Sequence, residues 1–193
     1  MRRLLGFIVF VLLTAILLSI MAYAKMELVL SYVLSSKMKT TVSIEDVTFS
    51  KMESIDVQDI RIGNPYQYPS RYALEVGALN ITAPYERYFQ KITYIEKIEL
   101  NNVILTVESV NNVTNWEALM NNLESKPEKS HSYSVIKKLT FKNLSVRIRS
   151  IDGTYKTHTI AKLTLLKIKT DEGDLSQRLT QAILKQILFN IKN

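Results

Sequence analysis

The chain reads as mainly β with flanking helices: an N-terminal transmembrane helix, then a curved, strongly twisted antiparallel sheet shaped as a half-barrel or groove, then a C-terminal amphipathic helix. Three observations predict this. An eight-residue pattern, apolar-x-apolar-x-x-apolar-x-apolar, occurs six times; an uncharged apolar stretch opens the sequence; and apolar residues at helical spacing close it. Alternation of period two marks a strand with one dry and one wet face, and a skipped beat keeps the dry face dry only where the strand is locally bulged. Strands that all kink at one level curl a sheet into a trough with an apolar inner surface.

The opening element is Leu4–Ala24, free of charge and rich in Leu, Ile, Val and Phe. At about 1.5 Å per residue it can cross a hydrocarbon core of about 30 Å. Arg2 and Arg3 precede it and keep the N-terminus in the cytoplasm, which puts everything after Ala24 on the other side of the membrane. Ala22-Tyr23-Ala24 also offers a small-x-small cleavage pattern, so a cleaved secretory signal is the competing reading, and either one exports the rest of the chain. Met26, Leu28, Val29, Leu30, Tyr32, Val33 and Leu34 carry a helix pattern on to about Lys37 as an amphipathic extension, either a lid on the sheet or a segment lying at the membrane surface. Residues 1–37 are therefore anchor and extension, and 38–193 are an exported β-groove domain.

Within that domain the strand patterns place the groove-face residues. They are Val42, Ile44, Val47 and Phe49; Ile55, Val57, Ile60 and Ile62; Leu74, Val76, Leu79 and Ile81; Ile98, Leu100, Val103 and Leu105; and Leu139, Phe141, Leu144 and Val146, with His158, Ile160, Leu163 and Leu165 as a weaker sixth copy. Residues 50–54 are short enough for a hairpin, and Gly63–Ser70, with two prolines, is a loop. Pro84–Gln90 reads as a short helical connection. Trp116, Leu119, Met120 and Leu123 mark a helix between 111 and 124 that caps one end of the trough. The polar stretch 125–134 is a flexible connection, and Asp152-Gly153 signals a tight hairpin. Leu175 to Ile191 is an amphipathic helix, either capping a sheet edge or docking on a partner or membrane.

Several functions are disfavoured by what the sequence holds. With no cysteine there is no disulfide framework or thiolate chemistry, and His131 and His158 lack companions at metal-ligand spacing. No phosphate loop, nucleophile elbow or paired-acid motif is present, so no enzyme activity, metal or cofactor is expected; Glu45-Asp46 falls at a skipped beat and reads as solvated. The formal charge of +7 is carried by Lys and Arg spread along the chain among 18 acids, with no basic run interleaved with aromatics, which argues against nucleic acid. Triplets of the form Asn-x-Ser/Thr at Asn80, Asn112 and Asn143 are incidental.

The order of features resembles the N-terminal region of the AsmA-like family, the envelope proteins that include AsmA and TamB. The resemblance rests on the anchor, Val42–Phe49, Ile55–Ile62 running into Gly63-Asn64-Pro65, Ala73–Ile81, Ile95–Leu105, and Asn115-Trp116 with Leu119 and Asn121-Asn122-Leu123. It covers about two thirds of the chain. It implies a single-pass bacterial inner-membrane protein with a periplasmic domain, whose groove holds or passes lipid acyl chains in outer-envelope biogenesis. Membrane lipids are then the partners, with other envelope proteins engaged through sheet edges or the C-terminal helix. Family members usually run much longer, so one copy of this chain is not expected to bridge the envelope. The rival reading is a membrane-anchored adaptor whose groove is plugged by its own helices.

Overall fold

The computed structural model describes residues 25–50, 54–83, 92–123, 133–150 and 152–169. The expected membrane segment Leu4–Ala24, the connection Pro84–Gln90, most of the polar stretch 125–134 and the C-terminal helix Leu175–Ile191 lie outside them. Among the described residues, no helix is long and apolar enough to cross a membrane.

The chain begins with helix α1 (Met26–Met38), which ends at Lys39 in a left-handed conformation. Strands β1 (Val42–Ser43) and β2 (Asp46–Ser50) both pair with β3 (Ser54–Gly63), and β4 (Tyr72–Thr82) and β5 (Ile92–Val107) follow as neighbours. A two-strand ribbon, β6 (Ser109–Val110) with β7 (Val113–Thr114), leads into helix α2 (Asn115–Leu123). Two long strands, β8 (Tyr133–Arg149) and β9 (Tyr155–Lys169), complete an open sheet in the order β1-β3-β4-β5-β8-β9, with β2 also on β3.

Five of the six strand patterns lie within single strands, the first is divided between β1 and β2, and the Asp152-Gly153 turn joins the last two. Gly153 has φ +85°, which only glycine adopts without strain, and its N–H donates to Ser150 O at 3.0 Å. One expectation is corrected: the sheet is not antiparallel throughout, because β5 and β8 run parallel, Ile98 beside Leu139 and Leu105 beside Val146. The cause is topological. Strand β5 ends at the same end of the sheet as α2, so the chain must return through residues 108–132 before β8 starts, and a connection of that length is what a parallel pair needs.

Helix α1 is also not the amphipathic element expected. Leu28, Val29, Tyr32, Val33 and Leu34 are exposed, Tyr32 to 77%, and Met38 is its buried residue. A helix apolar on its outer side as well as its inner side has no wet face to show. Its serines do structural duty instead. Ser35 Oγ and Ser31 Oγ accept from the backbone N–H groups of Val42 and Ile44 at 2.8 and 3.0 Å, covering the otherwise unpaired edge of β1.

Candidate functional site

Cross-strand register shows what the skipped beat does. Gln58 faces Ala78 and Ile60 faces Val76, leaving Asp59 and Gly77 unpaired opposite one another. The same step recurs at Gly77 and Asn102, at Asn102 and Asn143, and at Asn143 and Ala161. Strands β3, β4, β5, β8 and β9 thus each carry an extra residue at one level, so the register on both sides of the kink is preserved. Asp59, Asn102 and Asn143 sit there at φ +47°, +54° and +54°. Asn and Asp tolerate the left-handed region better than other side chains because they can hydrogen-bond locally. Asn143 Nδ2 donates to Asn102 Oδ1 at 3.1 Å along this seam. A Cβ on Gly77 would lie 3.2 Å from Asn102 Cβ, close enough that Asn102 would have to shift by a few tenths of an ångström.

Because the kinks align, the groove-face residues fall into continuous rows on one face. Val57, Leu79, Leu100, Phe141 and Leu163 are successive partners, as are Ile60, Val76, Val103, Leu144 and Ile160. Phe49, Ile55, Ile81, Ile98, Leu139 and Leu165 form a third row, and Val42, Ile62, Leu74, Leu105, Val146 and His158 a fourth. Val47 extends the first row through Val57. Ile44 falls in the break between β1 and β2, its N–H held by Ser31, and is the one named residue outside a strand.

Burial is deepest beside the seam. Val76, Val103, Leu144 and Ile160 are 2% exposed or less, whereas Leu79, Leu100, Leu74 and Leu105 are half-buried and Phe49 is exposed. Helices α1 and α2 pack at one end, where Met38, Val42, Ala73 and Leu119 form a separate small core with Ile62 and Trp116 against it. The capping role expected of α2 is therefore met at that end.

The opposite face is polar and held by side-chain ladders. Asn80 Nδ2 donates to Asp56 at 2.6 Å, and Glu99 accepts from Lys97 at 2.7 Å and Lys142 at 2.5 Å. These two ammonium groups, Lys142 first, hold the Glu99 carboxyl down at about 2. Glu45 and Asp46 are exposed, as their place at the skipped beat implies.

A buried polar clasp at the α2 end escaped the sequence reading. Glu108 is 1% exposed and accepts from Asn64 Nδ2 (3.1 Å), Ser70 N (3.1 Å), Ser70 Oγ (2.8 Å) and Tyr155 Oη (2.5 Å). Asn115, fully buried, donates to Asn64 Oδ1 at 2.8 Å and to Thr106 O at 2.9 Å, and Trp116 Nε1 donates to the same carbonyl. Asn64 and Asn115, far apart in sequence, thus meet beside Glu108, Asn115 through the Glu108 backbone N–H and Asn64 through its carboxylate. Among the described residues, no cluster of three His, Asp or Glu side chains is placed to hold a metal.

From Tyr133 to Lys169 there are nine Lys and Arg against the single acid Asp152, an excess of eight that is larger than the chain's whole +7. Lys138, Lys142, Arg147, Arg149 and Lys162 share the polar face of β8 and β9. The other sixteen of the 25 Lys and Arg lie elsewhere along the chain, so the local excess arises because this stretch has almost no acids.

These features define an open, mainly β protein whose sheet has one continuous apolar face and one charged face. Comparison with known proteins returned no matching family model, no matching curated protein and no matching solved structure.

Proposed function

We propose that this chain is a non-enzymatic, membrane-anchored protein of AsmA-like type that holds or passes lipid acyl chains along the apolar face of its sheet during outer-envelope biogenesis. The observation that carries the reading is the alignment of the apolar rows across β3, β4, β5, β8 and β9, which makes one unbroken greasy track. Each methylene buried on such a track contributes about 0.8 kcal/mol, so half-buried Leu79, Leu100, Leu74 and Leu105 offer a tail a place to lie. Attachment to the inner membrane, with the sheet in the periplasm, is supported by the uncharged Leu4–Ala24 segment and by the exposed apolar side chains of α1 that follow it. The partners in this reading are membrane lipids, together with envelope proteins reached through sheet edges.

A second reading is favoured by one observation: Val103 and Leu144 have no exposure left. In that reading the face is filled from within, and the protein is an anchored adaptor that works through protein contacts. Extraction of the purified full chain followed by mass spectrometry separates the two. Co-purifying phospholipid in stoichiometric amount is expected for the carrier; a lipid-free protein leaves the adaptor.

A further inference from the structure

Burial on the apolar face runs opposite to what a single sheet layer gives. An outer strand has a neighbour on one side only, so its side chains should be the more exposed, and among the described residues β9 is such a strand. Yet Ile160 and Ile168 of β9 are 1% and 0% exposed, and Leu163 is buried with them. On β8, Ile136, Leu139, Phe141, Leu144 and Val146 are all buried. Further in, on β4 and β5, the buried members of the rows are Val76 and Val103 beside the seam. Leu74, Leu79, Ile98, Leu100 and Leu105 on those strands are half-buried.

Among the described residues no helix is seated on β8 and β9. The apolar cluster there is drawn from the strands of the sheet itself, and the main packing partners of α1 and α2 are β1, β2, β7 and each other. Of the stretches outside the described residues that join this part of the sheet, 124–132 has no large apolar side chain and 84–91 links β4 to β5. Residues 170–193 leave from the end of β9 and hold Leu175, Leu179, Ile183, Leu184, Ile187 and Ile191 at helical spacing.

The dimensions agree. A helix with its side chains is about 10 Å across, which is two strand spacings of about 4.8 Å, and the extra burial is confined to two strands. The 17 residues from Leu175 to Ile191 make a helix about 25 Å long. From Ile168 to Ile160 the strand advances about 26 Å, at about 3.3 Å per residue. Residues 170–174 give the chain room to turn from the end of β9 back over its own face.

We propose that Leu175–Ile191 lies as a helix along the apolar face of β8 and β9, antiparallel to β9, so that the part of the face open to a guest is β3 to β5. The inference stands under either reading of the function, because neither lipid nor partner protein enters it. In the carrier reading it confines acyl chains to the half-buried leucines of β4 and β5.

The test uses the full chain, which has no cysteine of its own, so a single introduced thiol reports its own place. Maleimide labelling in mild detergent should find Leu163→Cys on β9 protected and Leu79→Cys on β4 open, with rates differing about tenfold. Adding Ile183→Glu and Ile187→Glu should bring Leu163→Cys up to the rate of Leu79→Cys and leave the latter unchanged. A short bismaleimide on a chain carrying Leu163→Cys and Ile183→Cys should join the two thiols within one molecule, a readout that needs no charged variant to fold. The proposal is overturned if Leu163→Cys is labelled as fast as Leu79→Cys, or if the two glutamates leave its protection intact in a folded protein. Cross-linked dimers overturn it as well, by assigning the cover to a second copy. Phospholipid content measured on the same preparations keeps the two questions apart: a lipid-free protein with Leu163→Cys protected removes the carrier and keeps this inference, and a lipid-bound protein with Leu163→Cys open does the reverse.

Discussion

At the scale of single residues, the most consequential are polar ones inside an apolar design. Glu108, itself buried, ties loop 64–71 to the start of β9 through the Asn64 amide, the Ser70 N–H and hydroxyl and the Tyr155 hydroxyl. Glu108→Ala leaves the Ser70 N–H without its acceptor and takes one of two bonds from the Asn64 amide, at about 1–3 kcal/mol for an unsatisfied buried group. Chemical denaturation should show at least that loss, with Glu108→Gln losing less because its amide still accepts and donates at the same place. The seam asparagines behave differently, because what they supply is backbone conformation. At φ +54°, Asn102→Ala should cost about 1–2 kcal/mol, and Asn102→Gly should cost less despite losing the bond to Asn143. If the alanine variant proves as stable as the glycine variant, the left-handed seam is not what holds these residues in place.

The elements show how local signals act through particular bonds. Helix α2 starts with a capping box: Glu117 N donates to Thr114 Oγ1 at 3.1 Å, and Thr114 N donates back to Glu117 Oε2 at 2.7 Å. That backbone N–H, aided by the Thr114 hydroxyl, holds the Glu117 carboxyl below the usual carboxylate range. Thr114→Ala removes the cap, worth about 1 kcal/mol, and should lower the melting temperature by a few degrees. Across β5 and β8 the Lys97–Glu99–Lys142 cluster makes stability pH-dependent with a definite sign. Glu99 titrates near 4.5 when unfolded and about 2 when folded, so its contribution is complete above pH 4.5 and fades as the pH falls towards 2. Melting curves between pH 5 and 2 should fall less steeply for Glu99→Gln than for the wild type.

Over the whole molecule, the sheet separates two surfaces by side: continuous apolar rows on one face, and the Lys and Arg side chains of β8 and β9 on the other. In the proposed acyl-chain reading, a charge on the apolar face, Leu100→Asp, should abolish retention of co-purifying lipid in a variant whose melting temperature shows it folded. Retention unchanged in that variant would remove the acyl-chain reading. The track itself was legible before any coordinates: the rank of each apolar residue within its eight-residue pattern is its row in the sheet, from Val57 through Leu163. A second seam obeys the same grammar and was overlooked. Ile95-x-x-Ile98, Ile136-x-x-Leu139 and Leu165-x-x-Ile168 each skip two positions, and Glu96, Lys137 and Lys167 are stepped over there, Lys137 bonding Glu96 at 2.6 Å.

The six strand patterns, their kinks, the faces they present and the hairpin at Asp152-Gly153 follow from sequence alone, because side-chain alternation and left-handed turns are local properties of the backbone; the β6–β7 ribbon and the split of the first pattern into β1 and β2 do not. Strand direction and the meeting of distant side chains do not. Periodicity reads the same forwards and backwards, so nothing in β5 or β8 announces that they lie parallel. Glu108, Asn64, Ser70 and Tyr155 are scattered along the chain, and only the fold, by bringing the loop after β3 to the first residue of β9, turns them into one clasp with a cavity beside it.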